Sequence, residues 1–144
     1  MNASLTSSLR LPRRWLHRLY EYFALWFGLG LLGTISLTWS ALSVPLYYLL
    51  PKRWADPLGR WAITTGFRLY LNALSLIGAV RLDLDALDTL RDKGPLIIAP
   101  NHPCLLDAVM VISRVPNMAC IMKADIVDNV FLGAGARLAG YIRN

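Results

Sequence analysis

GPLIIAPNHPCLLDAVMV, residues 94–111, is the stretch on which the reading of the fold turns. Its first part, PLIIA at 95–99, is a short, wholly apolar run between prolines, which predicts a strand buried on both faces. Residues 104–114 carry apolar positions at helical spacing and predict a helix. Downstream, MACIM at 118–122 predicts a second buried strand and residues 128–139 a second helix. Upstream, Val80-Arg81-Leu82-Asp83-Leu84 alternates with period two and predicts a half-exposed strand, followed by a short helix or turn that ends at Gly94. Strand, helix, strand, helix is the order of a mixed or parallel α/β sheet.

In such a sheet the carboxyl ends of the strands are where sites gather, and the residues leaving PLIIA are Pro100, Asn101, His102, Pro103 and Cys104, with Asp107 five positions after the histidine. A neutral histidine oriented by a carboxylate removes a proton from a hydroxyl near neutral pH, so His102 and Asp107 are candidates for a general base and its orienter. His-x4-Asp alone is a weak signal, expected by chance about one time in ten for this composition. A histidine that merely caps the loop is the structural alternative. Lys123, at the end of the second expected strand, is either a ligand-binding cation or a solvated strand terminus. Cys104 and Cys120 sit in apolar company and are expected as buried, reduced thiols. A Cys104 nucleophile paired with His102 is disfavoured, because only Pro103 separates the two residues. No clustered ligands for a metal are visible.

The rest of the chain is lipid-like in composition. Of its 144 residues 56% are apolar and 17% charged, with a mean hydropathy of +0.44, a profile that excludes disorder. The net charge of +6 is one-sided. Through residue 81 nine basic residues face only Glu21 and Asp56, whereas from residue 82 six face seven. Basic excess around the most apolar part fits anionic headgroups, and no basic helix or aromatic RNA-reading motif points to nucleic acid.

From Tyr22 to Leu50 there is no charged residue, a run too long for a signal-peptide core and long enough to cross a bilayer. Pro45 and Pro51 predict that this helix stops before the run is used up. Residues 58–77 predict a second helix, with Arg60, Thr64, Arg68 and Asn72 on one stripe. Such a helix either lies in the membrane interface or packs in a core with one wet edge. The organisation expected is a flexible basic N-terminus (1–19), a membrane-associated helical hairpin (20–77) and a partial α/β domain (78–144). Positive charge on both sides of the first helix favours a hairpin dipping into one leaflet over a single span.

With those residues in view, GPLIIAPNHPCLLDAVMV resembles the N-H-x4-D motif of the glycerolipid (lysophospholipid) acyltransferases, the family of bacterial 1-acylglycerol-3-phosphate acyltransferase. CIMKADIVDNVFLGAGARLAGYI (120–142) is similar to the family segment in which a strand ends in lysine and a helix leads to a Gly-x-Ile strand. The resemblance implies an α/β acyltransferase domain behind an apolar two-helix hairpin. It implies transfer of a fatty acyl group from acyl-CoA or acyl carrier protein to a lysophospholipid or glycerol phosphate hydroxyl, at a membrane, on the cytoplasmic side, with no cofactor beyond the donor. His102 would be the base, Asp107 its orienter, and Lys123 and Asn101 substrate-binding residues.

The family pattern continues with an arginine and a Phe-Pro-Glu-Gly-Thr-Arg-like phosphate motif, and Asn144 precedes both. Arg143 is not at the arginine's spacing. The expectation is therefore a truncated first half of the domain, inactive by itself, with a non-catalytic membrane-associated scaffold as the alternative.

Overall fold

The computed structural model describes residues 10–91, 93–101, 104, 106–129 and 133–144. Helix α1 runs from Arg10 to Leu49, beginning inside the stretch expected to fray. Its 40 residues make it about 60 Å long. It does not stop at Pro45. A proline removes one backbone bond and crowds the carbonyl four residues back, and here the residue is exposed, so the freed carbonyl is open to solvent.

Pro51, extended at φ −65° and ψ 146°, makes the turn into helix α2 (Lys52–Leu76). This helix starts six residues earlier than expected and passes through Pro57, whose missing N–H forgoes a single bond. So short a connection forces the two helices antiparallel. The far end is tied by Tyr20, whose hydroxyl donates to the Ile77 carbonyl at 2.7 Å. Along the seam Gly28 meets Leu74 and Tyr70, and Gly66 meets Ile35. α2 closes at Gly78 (φ +75°), where the amides of Gly78 and Ala79 return to the carbonyls of Ser75 and Leu74 in a Schellman pattern.

The remaining elements are short: α3 (Asp85–Asp88), α4 (Leu106–Arg114), β1 (Ile121–Met122), α5 (Ala124–Val127), α6 (Gly133–Leu138) and β2 (Ile142–Arg143). β1 and β2 are parallel, with Ile121 opposite Ile142 and Met122 opposite Arg143. The molecule is thus mostly helical with a two-strand parallel sheet, and the α/β domain expected from the sequence is present only in part.

Two expected strands are not formed. Residues 80–84 keep their alternation, with Leu84 buried and Arg81 and Asp83 exposed, but no ladder is paired to them. PLIIA at 95–99 is not buried on both faces: Ile97 is 94% exposed and Leu96 43%. An apolar run becomes a central strand only when neighbours supply hydrogen bonds on both edges, and among the described residues β1 pairs with β2 alone. Of the helix expected over 128–139 the structure forms α6, Gly133–Leu138, with 130–132 outside the described residues, and a further short helix, α5, precedes it.

The core joins the two halves of the chain. Tyr70, Leu71 and Leu74 of α2 cluster with Leu84 and with Val109 of α4, and Phe27, Leu31 and Ile35 of α1 close the cluster. A second contact is made by α6, whose small residues let it approach closely. Gly59 lies against the backbone of Leu138 and Ala139, and Gly135 lies against the Trp39 ring. Leu138 and Ala139 are fully buried there. Complete burial of a leucine contributes roughly 1.5–3 kcal/mol.

This packing reverses one expectation about α2. Thr64 of the stripe is buried and Arg60 and Arg68 point into the second half of the chain, while Trp54, Trp61, Leu69 and Leu76 face outward. The stripe that either reading left on the polar side thus meets protein, and the outward face of α2 is the apolar one. The surface suited to lipid is the outer face of α1, where Trp26, Leu29, Leu37, Leu42 and Tyr48 are exposed. Arg14–Leu49 is long and apolar enough to cross a membrane, with an 18-residue window of hydropathy 1.5.

Candidate active site

The N-terminus of α4 is built around Asp107. Cys104 donates its backbone N–H to Asp107 Oδ2 at 2.9 Å, and its thiol lies 3.1 Å from Oδ1. The Asp107 amide returns a longer bond to the Cys104 carbonyl at 3.3 Å. This is half of a capping box: the carboxylate reaches back to the Cys104 N–H, while the Asp107 amide bonds the Cys104 backbone carbonyl and the thiol donates to the carboxylate. Both carboxylate oxygens are therefore oriented, and the negative charge sits at the helix end whose dipole favours it. Helix formation here follows from the apolar positions Val109 and Ile112, which are buried, with Arg114 at the dipole's negative end.

His102, with Pro103 and Leu105, lies outside the described residues. Asn101 is exposed at the start of this loop. Cys104 is exposed rather than buried, its thiol turned to the Asp107 carboxylate at the head of α4. Cys120 is half-buried, and burial raises its thiol pKa above the ordinary value of 9.0.

Lys123 follows β1 directly and serves as the N-cap residue of α5, with extended backbone at ψ 141°. It stands at the carboxyl end of the parallel pair, where the Ala124 amide donates to the Asn144 carbonyl at 3.0 Å. Its side chain is exposed and, among the described residues, makes no hydrogen bond or ion pair with Asn101 or Asp107. The structure thus places Asp107 and Lys123 each at the end of an element, as the sequence indicates, without joining them. Among the described residues no three His, Cys, Asp or Glu side chains are grouped to hold a metal.

Two features were less visible in the sequence. Asp107 stands three residues after Cys104, whose N–H it accepts, a spacing that carries little signal when the earlier residue is cysteine. Arg60 and Arg68 hold the second half of the chain. Arg68 Nε donates to the Ser113 carbonyl at 2.6 Å, and Arg60 Nε donates to the Ala139 carbonyl at 3.0 Å. Their four-residue periodicity marked them as one face, but periodicity does not say what the face meets.

Near Arg60, Tyr141 is held above the ordinary phenol value of 10.0, first by burial, then by the nearby Cys120, with Arg60 opposing. Gly140 (φ +66°) ends α6 in a second Schellman pattern, its amide bonding Arg137 and that of Tyr141 bonding Ala136.

No curated protein and no solved structure matches the chain significantly. A family model does: residues 81–143 match the family described as Acyltransferase, which leaves the helical hairpin outside the match. The matched stretch begins just after Gly78 and takes in the Asp107 cap, Lys123 and the β1–β2 pair. Over residues 81–143 the chain is accordingly similar to the Acyltransferase family, a match consistent with part of an acyltransferase domain.

Proposed function

We propose that this domain transfers a fatty acyl group from acyl-CoA or acyl carrier protein to the hydroxyl of a lysophospholipid or glycerol phosphate. The observation that carries the reading is the family match over 81–143, within which the Asp107 carboxylate is held by Cys104 at the start of α4. His102 accepts the acceptor's hydroxyl proton as the oxygen attacks the thioester carbonyl. The tetrahedral intermediate then collapses, the carbon–sulfur bond breaks, and the imidazolium returns the proton to the leaving thiolate. Asp107 fixes the ring's tautomer and supports its positive charge. Lys123 takes the acceptor's phosphate, and Asn101 contacts substrate beside the base.

The outer face of α1 meets the bilayer that supplies the acceptor, and the thioester donors place the domain on the cytoplasmic side. Basic residues at both ends of α1, Arg14 and Arg18 at one and Lys52 and Arg53 just past the other, favour anionic headgroups.

A second reading is a non-catalytic, membrane-associated scaffold, favoured by exposed Leu96 and Ile97 and, among the described residues, a sheet of two strands. Kinetics of the natural gene product separate the two. Asp107→Asn should reduce kcat by about two to four orders of magnitude and His102→Ala should abolish turnover. Undiminished turnover in His102→Ala overturns the assignment.

A further inference from the structure

We propose that Arg60 and Arg68 are positioning residues, through which helix α2 sets where the Asp107 and Lys123 ends of the acyltransferase segment stand. The proposal rests on the reading of those two ends as parts of one site. Arg68 Nε meets the Ser113 carbonyl at 2.6 Å, and that carbonyl is one of the last four of α4, which have no partner within a helix. A guanidinium there also complements the helix dipole. α4 is nine residues, about 13 Å, and rigid at that length. Holding its C-terminus while Val109 and Ile112 are packed in the interior leaves its N-terminal end, with Asp107, a single position.

Arg60 acts on the sheet in the same way. Its Nε meets the Ala139 carbonyl at 3.0 Å, three residues before β2, and its Nη1 meets Asn117 Oδ1 at 3.1 Å, four residues before β1. Asn117 is the left-handed residue (φ 59°) at the tip of the turn that feeds β1. One guanidinium therefore grips the entrances of both parallel strands, and Lys123 leaves the opposite end of that pair. Eight residues separate the two arginines, about 12 Å along one face of α2. The hairpin is on this view the rule against which the two ends of the site are spaced.

The test uses the native thiols as reporters of each end. Cys104 contacts Asp107, and the Cys120 carbonyl accepts the Ile142 amide where β1 meets β2. The 144-residue chain in detergent micelles is labelled with a maleimide, and the rate at each cysteine is read by mass spectrometry. Arg68→Gln should speed labelling of Cys104 by about threefold or more, in the range of couplings carried by packed elements, and leave Cys120 unchanged. Arg60→Gln should do the reverse, and Arg68→Lys, which keeps a cation at the carbonyl, should restore most of the Cys104 rate.

Equal acceleration of both thiols by either variant means general loosening and overturns the proposal, as does no change at either. A variant too unstable to purify is replaced by its methionine counterpart, which keeps an apolar stem and removes the donor, judged by the same two rates. The acyl-transfer reading fails separately, by undiminished turnover in His102→Ala, a result that leaves these labelling rates untouched.

Discussion

Replacing Gly59 by alanine puts one methyl group into the contact between α2 and α6. An ideal Cβ at residue 59 lies 2.6 Å from both the N and the Cα of Ala139 and 2.9 Å from the Leu138 carbonyl carbon. Carbon atoms pack at about 3.5–4.0 Å, so the two helices must separate locally by about 1 Å. The obstacle is backbone and cannot rotate away. Overpacking of this kind costs about 1–3 kcal/mol. Alanine returns roughly 1 kcal/mol of helix propensity over glycine. Separation also stretches the neighbouring bond from Arg60 to Ala139, at present 3.0 Å. The net expectation is a loss of about 1–2 kcal/mol.

Gly30 and Gly33 provide the control, since a Cβ at either meets nothing within 4 Å, and alanine there should be neutral or stabilising by up to about 1 kcal/mol. The assay is denaturant unfolding of the chain in micelles, followed by tryptophan fluorescence, to which Trp39 beside Gly135 contributes. A Gly59→Ala chain as stable as the Gly30→Ala chain would refute the claim that the hairpin and the acyltransferase segment share one core.

Gly140→Ala should destabilise by roughly 1–2 kcal/mol, because its φ of +66° is left-handed and its Cβ would meet the Asp56 carboxylate, whereas Gly94→Ala, in open space, should be silent in the same unfolding assay. The contribution of Cys120 and Tyr141 to stability should be fully present below their ordinary values and be lost as pH rises above them. Cys120 and Tyr141 both ionise later in the folded chain than their ordinary values of 9.0 and 10.0, so the unfolded state loses its protons first. A Cys120→Ala, Tyr141→Phe chain should lose part of that slope in thermal melts between pH 8 and 11. The outer face of α1 should keep the chain in the membrane fraction after alkaline carbonate washing, and release into the supernatant would contradict bilayer attachment.

The helices were legible because their signals are local. The uncharged run from Tyr22 to Leu50 and the stripe from Arg60 to Asn72 each specify a helix from neighbouring residues alone, and α1, α2 and α4 lie where those signals fall. Boundaries differ at Pro45 and ahead of residue 58, because a single exposed proline costs one backbone bond without ending the helix. Strands were less legible. PLIIA has the composition of a buried strand, but pairing is supplied by segments distant in sequence, and here Ile97 is left in the open.

Of the candidate site, what was legible is the placement of two residues. Asp107 at the head of a helix and Lys123 at a strand end follow from the pattern around them. That Cys104 would bond Asp107 at the head of α4, and that Arg60 and Arg68 would grip helix and turn carbonyls 45 to 79 residues away, depends on tertiary packing that no periodicity encodes.

The central claim, acyl transfer from a thioester to a lipid hydroxyl with His102 as base, is tested most directly by following the acyl group itself. The natural gene product is given acyl-labelled CoA or acyl carrier protein with lysophosphatidic acid in mixed micelles, and both the lipids and the intact protein are analysed. Label should appear in phosphatidic acid, disappear with His102→Ala, persist with Cys104→Ala, and never accumulate on the protein. Label trapped on Cys104, or phosphatidic acid formed equally by the His102→Ala protein, would contradict it.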